Sequence, residues 1–533
     1  VGWIGHILWT LMRPFLGDAL RRRDNIRRLW IGAELGVAAA AGLTKAGLEG
    51  RTMQDLDEQD LREWLQSNGV VGGRISRTSA SSACLRMVYE VVFGYEGGNP
   101  NRPRLAAGTA VRDLLRLLFD RRGPLAFTMR AGSAETMITP LYRALRRRGV
   151  RFEFFHRIDR LEPSPDGRQI DRIHFTRQAT PNEPEYDPLI EDGAWPDRPK
   201  YELLVDGDLL AAAERKDGGR DLETPSFTPA TASAGTLVRG NGDDGDFDLV
   251  VLAIPVEVLR TVCAPLAVRD PVWRDMLQHL KTTPTQSVQL WFDRTARELG
   301  WHPPDTTEAT MLGGYAQPFG NWLDLSVTIA FEKWSASGRS TPRSVAYLCG
   351  PLDESIWLGD ALDAKRAHVR EACRAWLTEH AARLWPEGCS TGGLAWPRLV
   401  APPDCKGIER YNAQYFRANT NPSERYTLTL PGTTRHRLAP DDSGVDNLYL
   451  AGDWTANGFD VGCVEATVMS GRLAARTMRG LAAAAMPVYG EVPLPRHHGT
   501  SHADSTPTDA FLRGRPPRRA PTPMTPGANP DGQ

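Results

Sequence analysis

The stretch that decides the fold lies near the C-terminus. It reads Leu448-Tyr-Leu-Ala-Gly-Asp-Trp-Thr455, followed by Asn457-Gly-Phe-Asp-Val-Gly-Cys-Val-Glu-Ala-Thr-Val-Met-Ser-Gly-Arg472. Its apolar start predicts a short buried strand, and the Gly-Asp pair predicts a tight turn where that strand ends. A helix is predicted to begin near Gly462 and to span Val464–Leu481. A helix start presents unpaired N–H groups and about half a positive charge, which suits an anionic phosphate.

Two interpretations of this stretch remain open from the residue spacing alone. In the first, Asp453 accepts hydrogen bonds from ribose-type hydroxyl groups, and Gly471 lets the helix lie close against a strand. In the second, Asp453 only caps its own turn and the glycines serve only packing. The spacing favours neither interpretation.

The same stretch resembles the C-terminal flavin-binding signature of the amine oxidase and phytoene desaturase superfamily. That signature runs strand, Gly-Asp or Gly-Glu, loop, and a Glu-Gly/Ala-Ala-x-x-Ser-Gly helix. Here Gly452-Asp453, Glu465-Ala466 and Ser470-Gly471 fill those places. The resemblance implies FAD as the cofactor and an α/β fold, with a Rossmann-like FAD-binding domain beside a mixed α+β substrate domain.

The resemblance also implies roles for individual residues. Asp453, after Gly452, contacts the ribityl–pyrophosphate part of FAD, and Trp454 lies close to the flavin. At the helix start, after Gly462, the backbone amides of Cys463 and Val464 face the pyrimidine oxygen. The expected cofactor-binding residues in this stretch are therefore Gly452, Asp453, Trp454, Gly462, Cys463 and Val464.

Two further segments resemble the same superfamily. The first runs from Ala131 to Ile158 and predicts a helix over Ala134–Arg148, with Leu141 and Leu145 on its apolar face, then a strand over Val150–Phe155. The resemblance implies that the Ile158 backbone meets the adenine, although an ordinary core position is an equally good interpretation. The second segment, Phe247–Pro255, contains the apolar run Leu249–Ile254, which predicts a strand buried on both faces.

The first glycine-rich cofactor motif of the superfamily is expected near the N-terminus, and this sequence lacks it there. Gly240–Gly245 fits the GxGxxG pattern, but it lies between two predicted strands and carries Asp243 and Asp244, which would repel phosphates. We interpret it as a polar hairpin turn. The start at Val1, within an amphipathic helical pattern over Val1–Leu20, is interpreted as a truncated chain whose first βαβ unit is missing.

The predicted domains are discontinuous. Residues 124–262 and 440–482 are expected to form the FAD-binding domain, and residues 1–123 and 263–439 the substrate domain. A polar, proline-rich insertion is predicted at 177–234. Residues 483–533 are rich in Pro, Arg, Ser, Thr and Gly, which predicts a disordered tail that includes His497 and His498.

Composition excludes several classes of protein. The 533 residues include 64 Lys+Arg and 65 Asp+Glu, a balance that argues against a nucleic-acid-binding protein. The seven scattered cysteines and isolated histidines form no metal-binding spacing or disulfide framework, which favours a reducing, cytoplasmic location. The apolar face of residues 3–15 is compatible with peripheral contact at a membrane surface, but packing within the substrate domain is favoured.

The hypothesis from sequence is therefore a FAD-dependent oxidoreductase that removes hydride from a hydrophobic, isoprenoid- or carotenoid-like small molecule and passes electrons to an unknown acceptor. Oxidation of an amine is the first alternative. The second is a non-catalytic binding protein that has kept the fold without the cofactor. No catalytic residue is assigned.

Overall fold

The structure is a computed structural model that describes residues 24–69, 74–120, 127–190, 193–216, 220–240, 245–302, 310–334, 338–356 and 361–498. The predicted helix Val1–Leu20 and the last 35 residues of the predicted tail, 499–533, lie outside these ranges.

Helices and strands alternate irregularly along the chain. The α-helices α1 to α14 span Asp24–Leu48, Met53–Leu56, Leu61–Ser67, Arg77–Ala80, Ala83–Val91, Ala107–Leu115, Thr139–Arg147, Gly207–Lys216, Val256–Val262, Ala264–Arg269, Pro271–His279, Leu362–Leu384, Glu409–Asn412 and Val464–Met478. The strands β1 to β14 span His156–Pro163, Ile170–Arg177, Ser233–Val238, Val250–Leu252, Thr282–Thr283, Thr285–Phe292, Met311–Leu312, Asn321–Asp324, Ser344–Pro351, Cys389–Ser390, Gly393–Leu394, Tyr415–Asn419, Tyr426–Thr427 and Leu448–Leu450. This mixed α/β content agrees with the predicted fold class at that level.

The N-terminal part is helical, as its sequence pattern predicts. Thr52 and Asp55 form a reciprocal capping box at the start of α2. Asp60 caps α3 by accepting hydrogen bonds from the next backbone amides, and Trp64 of that helix is buried. These helices enclose one apolar core with α1, α5 and α6.

A five-stranded antiparallel sheet with the order β12-β6-β9-β8-β7 forms the centre of the second half of the chain. Helix α12 packs on this sheet, and the core between them contains Trp322, Trp376 and Trp385. Burial of such large rings supplies much of the apolar area that stabilises this layer.

The antiparallel sheet β1-β2-β3 replaces the strand that the sequence predicts at Val150–Phe155. That prediction is wrong, because β1 begins only at His156, which pairs with Arg177. Phe155 has a φ of +60°, which interrupts the extended backbone before β1. The preceding Phe152 and Phe154 instead pack their rings around Tyr142 of α7.

Segment 177–234 joins β2 to β3 and has more structure than the predicted polar insertion. It contains helix α8 and a small apolar core formed by Ala179, Tyr186, Leu204, Leu210 and Phe227. Phe154 and Phe155 pack against this core, so the segment is attached to the start of β1.

Strands β14 and β4 pair in parallel, with Leu450 opposite Leu252. The prediction of a strand at 249–254 is confirmed, but burial on both faces is wrong, because Val251 is 46% exposed. Only the face with Val250 and Leu252 packs into the core. The predicted apolar face of α7 is likewise not buried: Leu141 is 60% exposed, and the buried residues of the helix are Thr139 and Tyr142.

The prediction of a disordered tail is wrong for residues 483–498. Asp442 has a fully buried side chain and accepts hydrogen bonds from the backbone amides of His497 (2.6 Å) and His498 (3.2 Å). These contacts to a buried acid hold the segment although it has little regular secondary structure. Among the described residues no helix has the length and apolarity needed to cross a bilayer, and no three potential metal ligands cluster.

Candidate cofactor site

The turn after β14 is packed directly against α14. Gly452 has a φ of +142°, and a Cβ there would lie 2.5 Å from Nε1 of Trp454, so a larger residue does not fit. The Gly452 amide donates a hydrogen bond to the Ser470 hydroxyl of α14 over 2.8 Å. The close approach predicted for Gly471 is wrong, because the space around its Cβ position is open.

Asp453 occupies a largely buried position at the carboxyl end of β14. Burial raises the pKa of its carboxyl group, while Arg437, Thr427 and the amides of its own turn lower it. The Thr427 hydroxyl donates to the carboxylate over 3.1 Å. These contacts support the turn-capping interpretation, and they also place a desolvated carboxylate beside the start of α14.

The start of α14 lies against Tyr426. The Tyr426 hydroxyl donates to the Gly462 carbonyl oxygen over 2.6 Å, and a Cβ at Gly462 would lie 2.6 Å from the Tyr426 ring. Cys463 is the N-cap, and its Sγ accepts a weak hydrogen bond from the Ala466 amide over 3.4 Å. Because the first amides of a helix have no partner within it, Val464 presents an N–H donor here.

Two of the predicted site residues have side chains that serve other purposes. The Trp454 indole is 1% exposed and donates from Nε1 to the Ile254 carbonyl oxygen over 3.1 Å, so the ring belongs to the core. Burial raises the pKa of the Cys463 thiol to about 12, which keeps it protonated and unreactive at neutral pH. Contributions of these two residues to a ligand site would come from their backbone.

Ile158 lies apart from the other six predicted residues. It is part of β1 and packs against the core that also contains Trp454. It also lines a cavity of about 920 Å³, which none of Gly452, Asp453, Trp454, Gly462, Cys463 and Val464 lines. The structure therefore brings six of the seven residues together and places the seventh on another surface.

Several charged residues that hold the turn after β14 and the loop before α14 in place were not predicted from the sequence. Arg437 is fully buried and donates from Nη1 to the Asp453 carbonyl oxygen over 2.6 Å. Arg112 of α6 donates to the Phe459 carbonyl oxygen (2.6 Å) and to Asp460 Oδ2 (3.1 Å). The arginines of α6 appear in sequence as ordinary polar positions of an amphipathic helix, so no signal distinguishes them.

Asp113 is a further acidic group near the start of α14. Its side chain is 22% exposed, and Arg112 Nε lies 3.5 Å from its Oδ1. Burial raises the pKa of Asp113 to about 7, although Arg112 and Arg116 act to lower it. Its charge acts on both Tyr426 and Cys463, which places it in electrostatic range of the helix start.

The groups at this edge of the β4–β14 sheet are of the kinds that bind parts of a dinucleotide. Backbone donors at the helix start suit anionic oxygens, and Asp453 offers a carboxylate to hydroxyl groups. Gly452 and Gly462 keep the backbone within reach, because neither position has room for a side chain.

Comparison with known proteins gives three results. No curated protein matches this sequence. A crystal structure of an oxidoreductase from Methanosarcina mazei matches with 10% sequence identity and a TM-score of 0.41, over 77% of this chain and 66% of that chain. The chain thus spans slightly less than two thirds of the length of that solved structure. A sequence profile of a family described as flavin containing amine oxidoreductase matches residues 230–479, from β3 to the end of α14.

The profile match confirms the resemblance on which the expected cofactor rests. It includes β4, the turn at Gly452-Asp453 and the start of α14. Over residues 230–479 the chain belongs to the flavin-containing amine oxidoreductase family, which implies FAD as its cofactor.

Proposed function

We propose that this protein uses FAD to take a hydride from a carbon atom of a lipophilic organic substrate. The FAD-binding domain would be the discontinuous, Rossmann-like unit of residues 124–262 and 440–482. The substrate domain would comprise residues 1–123 and 263–439. The five-stranded sheet of β6, β7, β8, β9 and β12 falls entirely within the second of these units.

One observation carries the cofactor placement: β4 and β14 are parallel, so their carboxyl ends lie at the same edge beside α14. The Ala451 amide donates to the Leu252 carbonyl oxygen over 3.0 Å, which fixes the two strand ends together. In open α/β sheets, ligands bind outside the carboxyl ends of the strands. Asp453 and the start of α14 both lie at this edge.

When bound, FAD supplies the redox chemistry, because the flavin ring accepts the hydride. Asp453 would hold hydroxyl groups of the ribityl chain. The amides of Cys463 and Val464, with the positive end of α14, would stabilise negative charge on the pyrimidine side of the ring. Arg437 would position Asp453 by holding its backbone carbonyl oxygen.

Exposed apolar side chains support a lipophilic substrate. Val464 at the start of α14 is exposed, and so are Leu118 and Phe119 at the end of the helical segment that follows α6. Ile138 and Leu141 add an exposed apolar face on and next to α7. Where exposed apolar side chains lie together on a protein surface, they favour contact with an apolar partner.

The test combines cofactor content with substrate reduction. Purified full-length protein should be yellow and should release FAD on denaturation. Anaerobic addition of a polyprenyl hydrocarbon in detergent should bleach the flavin absorbance. Colourless protein that takes up no added FAD would instead favour the non-catalytic binding protein.

Oxidation of an amine is the second candidate, and Asp113 is the observation that favours it. An ammonium group must lose a proton before hydride can leave the adjacent carbon, and a carboxyl group with a pKa of about 7 is suited to accept it. Peroxide release with benzylamine, in aerobic buffer, tests this alternative. Rapid release would contradict the preference for a hydrocarbon substrate.

A further inference from the structure

A cavity of about 920 Å³ lies outside the proposed cofactor site. It opens between segment 177–234, the start of β1, and the helices α9 and α12. This volume falls in the range of roughly 300–1,000 Å³ that holds small organic ligands.

Aromatic rings form one part of the cavity wall. Tyr186 lies edge-on to Phe155, with ring centroids 4.9 Å apart, and to Phe154 at 5.4 Å. Trp195 lies next to Phe154 at 6.4 Å. All four rings line the cavity, so the wall offers large π-faces held by mutual packing.

Carboxylates from segment 177–234 form another part of the wall: Glu214, Asp221 and Glu223. Glu214 is 9% exposed, and the Tyr201 hydroxyl donates to its Oε2. Its Oε1 is buried and has no hydrogen-bond partner among the described residues. A buried carboxylate oxygen without a donor destabilises the protein, and a ligand N–H group would satisfy it.

Glu223 lines the cavity with an exposed side chain and forms no ion pair within 4 Å with a described residue. Its surroundings raise the pKa of the carboxyl group by desolvation, and Asp221 and Glu424 raise it further by repulsion, while Arg417 lowers it. A ligand cation beside Glu223 would reduce this repulsion.

Several arginines also line the cavity, and their pairing decides the sign of the available charge. Arg157 pairs with Asp159 over 3.0 Å, and Arg417 pairs with Glu424. The remaining arginines of the wall, Arg198, Arg215 and Arg366, have exposed side chains. Arg198 and Arg215 act electrostatically on Glu214 from exposed positions, whereas Glu214 is buried and Asp221 is half-buried, so the enclosed charge is negative.

We propose that this cavity binds an organic cation in which an aromatic body carries an ammonium group. The ammonium would donate hydrogen bonds to Glu214 and Glu223, and the aromatic body would pack against Tyr186 and Trp195. The carboxylates disfavour a phosphate-bearing ligand. None of the six clustered cofactor residues lines this cavity, whereas Ile158, the seventh expected cofactor residue, does, so the test includes adenosine as a competitor.

Calorimetric titration of the full-length protein with tryptamine at neutral pH tests the site. Tryptamine should bind at least tenfold more tightly than 3-methylindole, which lacks the ammonium, and than indole-3-acetate, which carries the opposite charge. Glu223→Gln should weaken tryptamine binding about tenfold. Glu183→Gln, at an exposed acid of the same segment outside the cavity wall, should leave it unchanged.

The titration separates this proposal from its rivals. Equal binding of indole-3-acetate, or unchanged binding in Glu223→Gln, would overturn it. Displacement of tryptamine by adenosine would also overturn it, since the cavity would then belong to the adenine end of FAD near Ile158. Because binding is measured without turnover, failure of the flavin proposal leaves this result interpretable.

Discussion

The guanidinium group of Arg437 donates a hydrogen bond to the backbone carbonyl oxygen of Asp453 over 2.6 Å, and the arginine is fully buried. Its other amino group approaches the Leu428 carbonyl oxygen (3.4 Å) and the Thr429 hydroxyl (3.3 Å). One buried cation thus joins the turn after β14 to the chain that follows β13. The proposed cofactor turn depends on this residue for its position.

Replacing Arg437 should destabilise the protein strongly. Arg437→Met removes the donor to the Asp453 carbonyl oxygen and leaves buried acceptors unpaired, which costs about 3–5 kcal/mol. Arg435→Met is the matched control, because Arg435 is exposed and pairs with Glu58 over 3.1 Å, a contact worth less than about 1 kcal/mol. Urea unfolding of both variants measures the difference. Equal losses would contradict the role given to Arg437.

Replacing Asp453 tests the cofactor placement. Asp453→Asn keeps the shape of the side chain and removes its charge, so charge-assisted contacts worth about 1.5–3 kcal/mol should be lost. We expect FAD affinity to fall roughly tenfold to 150-fold, measured by titration of flavin-depleted protein. Asp404→Asn, at an exposed loop position, is the control. Unchanged affinity in Asp453→Asn would show that Asp453 only caps its turn.

Two glycines of the same stretch should respond to alanine in opposite ways. Gly462→Ala places a Cβ 2.6 Å from the Tyr426 ring, and the resulting displacement should cost about 1–3 kcal/mol. Gly471→Ala meets open space within α14 and should stabilise the helix by about 0.5–1 kcal/mol. Thermal unfolding of the two variants gives the signs. A loss of stability in Gly471→Ala would mean that the helix packs more closely there than the structure shows.

The sequence predicts well where local pattern and local structure coincide. The apolar run at 448–451, the Gly-Asp pair and the following amphipathic residues correctly predict β14, its turn and α14. Each of these features depends on residues close together in the chain.

The errors arise where distant partners decide the structure. Val150–Phe155 has the composition of a strand, but its rings pack on Tyr142 and Tyr186, which other segments supply. Burial of Arg437 depends on three chain segments that meet in space, so no local sequence pattern predicts it. The contacts of His497 and His498 depend on Asp442, which lies 55 and 56 residues away in the sequence.

The pH dependence of the free energy of unfolding should reveal the raised pKa of the Asp113 carboxyl group. Burial raises the pKa of this carboxyl group to about 7 in the folded protein, so the folded state holds a proton that the unfolded state releases near pH 4. Its contribution to stability is therefore present at low pH and decreases as the pH rises from about 4 to 7. Asp113→Asn should remove up to about 4 kcal/mol of this decrease.

Urea unfolding of the wild type and Asp113→Asn at pH 5 and pH 8 measures that effect. The variant should be less sensitive to pH over this interval, and other titrating groups cancel in the comparison. Asp120→Asn, at an exposed position shortly after α6, serves as control. Parallel pH profiles for the wild type and Asp113→Asn would contradict the raised pKa and weaken the case for Asp113 as a proton acceptor.

His498 should contribute to the pH dependence of stability over a higher pH range than Asp113. Its Nε2 lies 2.7 Å from Asp270 Oδ2, and its Nδ1 lies 2.9 Å from the Asp442 carbonyl oxygen and 3.3 Å from Asp442 Oδ1. Both ring nitrogens face acceptors, so the protonated form is favoured, and hydrogen bonds to Asp270 and Asp442 raise the pKa of His498 to about 10. A histidine with a raised pKa stabilises the folded state fully below its unfolded pKa of about 6.5.

That stabilisation should be lost as the pH rises from about 6.5 to about 10. His498→Gln should therefore destabilise the protein by roughly 3 kcal/mol at pH 6, and the difference from the wild type should shrink toward pH 10. His368→Gln, on α12 away from these acids, should show no such trend. Urea unfolding at pH 6, 8 and 10 provides the measurement. A difference between wild type and His498→Gln that stays constant with pH would mean that His498 is held as a neutral ring, and that Asp442 holds His497 and His498 through their backbone amides alone.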